Sequence, residues 1–310
     1  FVENAWVQAD YPKRRRHIRS SDHHQIMGGP HMESLKEQYD RDGFVFPIDV
    51  MSEAEAARIR ISLEQAEQDY GHLPEFAPGV RSHAHFLIPQ FDDITRLDAV
   101  LDSVSQILGP DILAWGCSLF LKEAHTEHFI SWHQDLTYWG LDDVQELTAW
   151  VALSAATVES GCMRYVAGSH TQPIVPHRDT FGGDNLLSRG QEIAVTVDEG
   201  AAVPVVLKPG QMAIHHGHMF HASGPNISDD RRIGLAIQFI SPSMRQTDGA
   251  RVPVSLVRGE DRFGHFDVMT PPRETMSDEG RAIVRSALNM MGTYLYDGAE
   301  EVGRRSDLAT

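Results

Sequence analysis

Cysteine is nearly missing from this chain: Cys117 and Cys162 are the only two in 310 residues. Two cysteines cannot build a disulfide framework, so the fold has to rest on a packed core, and their scarcity fits a reducing, cytoplasmic setting. No apolar run reaches the roughly 18 residues of a membrane-spanning helix, and no charged-then-apolar signal peptide opens the chain. Basic residues are also short: 27 Lys and Arg stand against 44 Asp and Glu, a net charge of -17. Phosphate backbones call for a basic face, so nucleic acid is excluded as the expected partner. The acidic surplus reads as solubility, and a small molecule is the partner expected. Oligomeric state has no signal in the sequence. Internal repeats and low-complexity tracts are absent. What remains is an ordinary globular composition, 41% hydrophobic and 23% charged.

Residues 1–31 look foreign to the rest. The basic run Lys13–Arg16, then His23-His24 and Gly28-Gly29-Pro30, show no apolar period. They are read as a non-native or disordered leader with Met32 as the natural start; a basic arm that binds a partner is the competing reading. Residues 32–310 are expected to form a single domain. Its part up to about residue 110 is helical. Ser34–Arg41 reads as a short helix stopped by Asp42-Gly43, and Phe44–Phe46 as a strand. Ser52 with Glu55 makes a capping box for a helix over Glu53–Tyr70, with Ala56, Ile59, Leu63 and Ala66 at helical spacing. Gly71–Ser82 reads as loop and Leu97–Leu108 as helix. From about 111 to 241 the pattern changes to short strands separated by turn residues: Ile112–Lys122, Phe129–His133, Leu147–Leu153, Cys162–Val166, Ile193–Val197, Val203–Leu207, Gln211–His216 and Arg232–Ile240. Such strands predict a sandwich or barrel with helices packed outside it, a mostly β fold with flanking helices. A C-terminal extension, 242–310, carries one more helix over Arg281–Tyr296.

Among 17 histidines a single one means little. His133-Gln134-Asp135 means more, because residues i and i+2 of a strand share a face. Downstream, His215, His216, His218 and His221 cluster, and a polar edge is the plain explanation for most of them. His221 stands apart because Ala222–Asn226 reads as a turn and Arg232 then opens an apolar strand. Two histidines and one carboxylate can hold one face of Fe(II) and leave the opposite face open, as O₂ chemistry requires. Arg232, with Gly234, Ala236 and Gln238 on its face, can fork onto a free carboxylate; a strand-end charge paired with Asp229 or Asp230 is the plainer alternative.

These motifs, in this order, resemble the phytanoyl-CoA dioxygenase family of Fe(II)/2-oxoglutarate oxygenases over roughly Ser34 to Ser241. They are Asp42-Gly43-Phe44-Val45, Trp132–Leu136, Gly161–Val166, Gly168-Ser169-His170, Pro209-Gly210-Gln211, His221-x-Ser223-Gly224-x-Asn226 and Arg232. The resemblance implies a double-stranded β-helix, a jelly roll of the cupin kind. It implies that His133, Asp135 and His221 are metal ligands and catalytic centre, and that Arg232 grips the distal carboxylate of 2-oxoglutarate with Ser223 adding a hydroxyl donor. Gln134 and Trp150 fall at positions near the co-substrate, although Trp150 is equally well explained as core. Lys122 and Arg164 fall where some relatives have basic residues and are weaker candidates for co-substrate contact, and Gly168-Ser169-His170 is a structural turn. The implied activity is a hydroxylating dioxygenase that uses Fe(II), 2-oxoglutarate and O₂, acts on an aliphatic C–H and releases succinate and CO₂. Asp135 disfavours halogenation, since halogenating relatives carry a small residue there. The alternatives are a cupin-type isomerase, lyase or 2-oxoglutarate-independent dioxygenase, and a non-catalytic metal-binding sensor. Substrate contacts are expected from Gly71–Phe91, Tyr138–Asp143 and Thr171–Arg189. The expected substrate is a small, water-soluble metabolite, neutral or carrying an amine. A coenzyme A thioester is not expected, although Arg178 and Arg189 offer local positive charge.

Overall fold

The structure, a computed structural model, describes residues 33–295. The leader expected over 1–31 and the tail beyond 295, Tyr296 included, lie outside the described residues. The chain opens with α1 (Leu35–Asp42), β1 (Phe44–Asp49), α2 (Glu53–Tyr70), α3 (Phe76–His83), α4 (Pro89–Thr95) and α5 (Asp98–Leu108). Strands follow: β2 (Ile112–Lys122), β3 (Ile130–His133), β4 (Glu146–Ala152), β5 (Met163–Tyr165), β6 (His177–Arg178), β7 (Glu192–Ile193) and β8 (Val203–Pro204). After these come β9 (Gln211–His215), β10 (His221–Ser223), β11 (Arg232–Ile240), β12 (Pro253–Arg258), β13 (Asp267–Val268) and the closing helix α6 (Asp278–Leu295). Among the described residues, no helix is long and apolar enough to cross a membrane.

The capping boxes form as the sequence demands. Ser34 and Ser52 each accept from the backbone N–H three residues on, and Glu37 and Glu55 reach back to the cap N–H groups. Gly43 ends α1 at φ +83. Any Cβ there would sit 2.3 Å from Met219, so both conformation and space require glycine.

One sheet runs β1-β9-β4-β11-β2-β12-β13, and a smaller one runs β3-β10-β5-β8. All pairings in these two sheets are antiparallel except β12 with β13. β11 explains the layering. Ile233, Leu235, Ile237 and Phe239 join the main core with Leu63, Leu101, Val104, Phe86 and Val284 from the helices. The alternate residues face the other sheet, where Ala236 packs with Trp150, Met163 and Tyr165. Both faces of this strand are therefore covered, and the site lies between the sheets on the second face. The fold is mostly β with flanking helices, a jelly roll of the cupin kind.

Three local expectations change. Gly71–Ser82 is not all loop, because α3 forms despite Pro78 and Gly79. A Cβ at Gly79 would lie 2.5 Å from Leu87 and 3.1 Å from Val284, so this glycine lets α3 pack closely. Tertiary contact thus outweighs its poor helix propensity. The turn after His221 starts later than expected: His221, Ala222 and Ser223 pair with Tyr165, Arg164 and Met163. Finally, the strands expected over Ile193–Val197 and Val203–Leu207 shrink to two-residue ladders.

Candidate active site

β3 ends at His133 and β10 begins at His221, and these two residues lie opposite each other in register. Their rings are 4.0 Å apart, centroid to centroid. Gln134 stays extended at φ -119, ψ 132. The two-residue alternation therefore carries through to Asp135 although strand pairing has stopped. In each histidine Nδ1–H donates 2.9 Å to a backbone carbonyl, Ser131 for His133 and Met219 for His221. That bond fixes the tautomer and leaves Nε2 with its lone pair. Both Nε2 atoms face Asp135 Oδ1, at 3.3 and 3.7 Å. One donor atom from each of the three residues lies within 4.8 Å of the others.

The electrostatics suit a cation. Burial, and then the neighbouring His133, push the His221 imidazolium well below its usual range, so the ring is neutral. Burial also opposes ionisation of Asp135, but the surrounding His221, His133 and His215 outweigh it and hold the carboxyl well below its usual range. Glu146, close by, goes the other way: burial and the Asp135 charge raise it well above the carboxylate range. Its Oε1 accepts from Gly217 N at 2.6 Å, which braces the turn leading into β10.

The second half of the site lies where β2 meets β11, with Lys122 opposite Arg232. Arg232 is 1% exposed. Its Nη1 donates to Gly161 O at 2.9 Å, its guanidinium lies 5.3 Å from the Trp150 ring, and Nε and Nη2 have no hydrogen-bond partner among the described residues. Lys122, fully buried, donates to Ser223 Oγ at 2.7 Å and to Gly224 O. Burial, and then Arg232, push its amine down to about 6, while burial pushes Arg232 down to about 10. Among the described residues, neither basic group has a carboxylate partner in an ion pair. A buried guanidinium with two unbonded donors and a buried amine beside it, next to two histidines and a carboxylate, fit a metal plus an anionic chelator. Nothing in this donor set conflicts with Fe(II).

One cavity is lined by His133, Asp135 and His221 and by Arg232, Ser223, Trp150 and Gln134. Lys122 joins them through Ser223. The chemistry of some residues departs from the sequence reading. Gln134 uses its amide on backbone: Nε2 donates to Pro173 and His218 carbonyls, and Oε1 accepts from Val175 N. It anchors the loops behind the site. The small Gly234 on the Arg232 face leaves no open space, because the Trp150 indole lies 1.7 Å from a notional Cβ there. Arg164 points away, paired with Glu199 at 2.9 Å and over Trp132. Asp229 and Asp230 do not pair with Arg232: Asp230 is held by Arg60. His215, Thr148, Tyr165 and Glu146 surround Asp135, and sequence reasoning did not single them out. The alternation of β9 is the only signal that could have separated His215 from His216.

The cavity lining also includes Arg81 and His83 of α3, Tyr138, Trp139, Leu186 and Met291. These come from the segments expected to meet substrate, with Met291 of α6 as an addition.

A jelly roll carrying a convergent two-histidine, one-carboxylate set is a metal-dependent protein of the cupin kind. More narrowly, the chain belongs to the phytanoyl-CoA dioxygenase family, whose model matches residues 39–234. The structure is similar to that of ThoJ, a non-heme monooxygenase, in its apo form, with a TM-score of 0.76 and 35% identity over 85% of this chain and 98% of that one. A Caenorhabditis elegans phytanoyl-CoA dioxygenase domain-containing protein 1 homolog is 28% identical over 161 residues, 49% of this chain and 55% of that protein. A Stutzerimonas stutzeri protein named "Probable alpha-ketoglutarate-dependent hypophosphite dioxygenase" is 27% identical over 160 residues, 50% and 54% of the two lengths. The chain thus spans about half the length of the curated relatives it matches.

Proposed function

We propose that this protein is an Fe(II)- and 2-oxoglutarate-dependent dioxygenase that hydroxylates an aliphatic C–H of a small metabolite and releases succinate and CO₂. The observation that carries this reading is one cavity holding both the His133/Asp135/His221 set and the unbonded Nε and Nη2 of buried Arg232. The S. stutzeri relative bears an α-ketoglutarate-dependent name and ThoJ a non-heme monooxygenase name, which supports the same class. His133, Asp135 and His221 would hold the metal. Arg232 would take the distal carboxylate of 2-oxoglutarate through Nε and Nη2, with Lys122 and the Ser223 hydroxyl beside it. Trp150 closes the wall behind Arg232 and keeps water from the buried charge. When bound, Fe(II) supplies the redox chemistry that couples decarboxylation of the keto acid to oxygen insertion. A cupin-type enzyme without a keto-acid co-substrate leaves the Arg232–Lys122 pair unexplained.

For the substrate, the lining offers an amine no carboxylate other than Asp135, so a neutral molecule with an apolar body fits best. Trp115 and Trp139, stacked at 5.3 Å, and Leu186 provide the apolar contact. Arg178 is paired with Glu192 and Arg189 with Asp179, which weakens the case for a coenzyme A phosphate site there. The test is succinate release across a panel of small metabolites. Release should need Fe(II), O₂ and 2-oxoglutarate together, and full turnover without 2-oxoglutarate would end the proposal.

A further inference from the structure

The two oxygens of Asp135 do different things. Oδ1 faces the Nε2 atoms of His133 and His221. Oδ2 turns away from them toward a second pair of groups: Thr148 Oγ1 donates to it at 3.0 Å, and His215 Nε2 lies at 3.3 Å. His215 is 1% exposed and is not one of the three residues whose donor atoms converge within 4.8 Å. Its other nitrogen, Nδ1, is 2.8 Å from the hydroxyl of fully buried Tyr165.

Chemistry fixes the direction of this chain of bonds. An ionised carboxylate only accepts, so His215 Nε2 must carry the hydrogen. A neutral ring then has its lone pair on Nδ1, and the Tyr165 phenol donates to it. Strand register builds the arrangement: Thr148 lies opposite His215 across β4 and β9, and Tyr165 lies opposite His221 across β5 and β10. The Tyr165 ring is pinned in turn by Phe44 at 5.1 Å.

We propose that Thr148 and His215, with Tyr165 fixing the tautomer of His215, hold Asp135 to a single coordinating oxygen. The inference rests on the reading above, in which Asp135 is a metal ligand. Two donors occupy Oδ2, so it cannot swing in to ligate. A carboxylate ligating through both oxygens would fill a position that a chelating keto acid needs. These three are positioning residues: they act on the site through Asp135.

The test is an anaerobic titration of the Fe(II)-loaded protein with 2-oxoglutarate, following the visible charge-transfer band, with the melting temperature of each variant as a control. His215→Phe should keep Fe(II) and its melting temperature yet bind 2-oxoglutarate roughly ten- to a hundredfold more weakly, the usual scale for outer partners of a metal ligand. His215→Gln keeps an N–H donor and should recover most of the loss. Tyr165→Phe and Thr148→Val should lie between, and they carry the test if His215→Phe does not fold. Folded variants with wild-type 2-oxoglutarate affinity overturn the inference while leaving the functional reading intact. A wild-type protein that shows no band overturns both.

Discussion

Arg232 sits inside the sheet sandwich with Nε and Nη2 unbonded, whereas its half-buried neighbour Arg231 is paired with Glu67 and Glu123. The two are therefore a matched pair for mutation. Lysine keeps the charge but loses the planar fork. Losing a charge-assisted bond costs about 1.5–3 kcal/mol, so Arg232→Lys should weaken 2-oxoglutarate binding by roughly ten- to a hundredfold, as read by anaerobic titration. Arg231→Lys should leave that constant unchanged, and the reverse result would shift the co-substrate site to the side where Glu67 and Glu123 hold Arg231. Lys122 gives a pH prediction. Its amine, pushed down to about 6 by burial and then by Arg232, is neutral at pH 7.5. A dianion beside it favours the ammonium form, so binding takes up a proton. The calorimetric binding enthalpy should depend on the ionisation enthalpy of the buffer at pH 7.5. The dependence should shrink below pH 6, where the amine is already charged, and vanish in Lys122→Met. The same depressed value means that this lysine contributes stability as pH rises from about 6 toward its unfolded range, because below that the buried charge must be carried.

Between elements, β4 and β11 meet at Gly234 and Trp150. A Cβ at Gly234 would stand 1.7 Å from the indole, and the ring cannot retreat without moving from Arg232. Gly234→Ala should destabilise the fold by about 1–3 kcal/mol as an overpacked core site and weaken 2-oxoglutarate binding with it; chemical denaturation and titration read the two effects. Gly234 also shows where sequence reading stops. Alternation along Arg232–Ile240 is visible in the residues, and the strand forms over that span. Which bulky partner fills the gap above a glycine is a matter of register, and the register between β4 and β11 joins strands with six others between them in the chain. α2 was legible because its caps are local. α3 was not, because Pro78 and Gly79 break local rules that packing against Leu87 and Val284 restores. His133, Asp135 and His221 could be picked out because a two-residue alternation and a following motif are short-range signals. His215, Thr148 and Tyr165 come from separate strands and meet only when the sheets close.

For the molecule as a whole, a net charge of -17 coexists with a cavity whose carboxylate is Asp135 and beside which lie the buried basic side chains of Arg232 and Lys122. Small anions such as 2-oxoglutarate would find specific partners there, while a polyanion meets an acidic surface first, screened beyond about 8 Å at physiological ionic strength. Acyl-coenzyme A esters should therefore release less succinate than free neutral metabolites in parallel assays, and the opposite ranking would relocate substrate recognition to a basic patch. One cavity has to hold metal and keto acid together for this activity. Anaerobic absorption spectra of the protein with Fe(II), recorded before and after 2-oxoglutarate is added, test this directly. A visible charge-transfer band should appear on addition, saturate, and be absent in Asp135→Ala. A spectrum that 2-oxoglutarate leaves unchanged, from folded protein shown to contain Fe(II), would contradict the account.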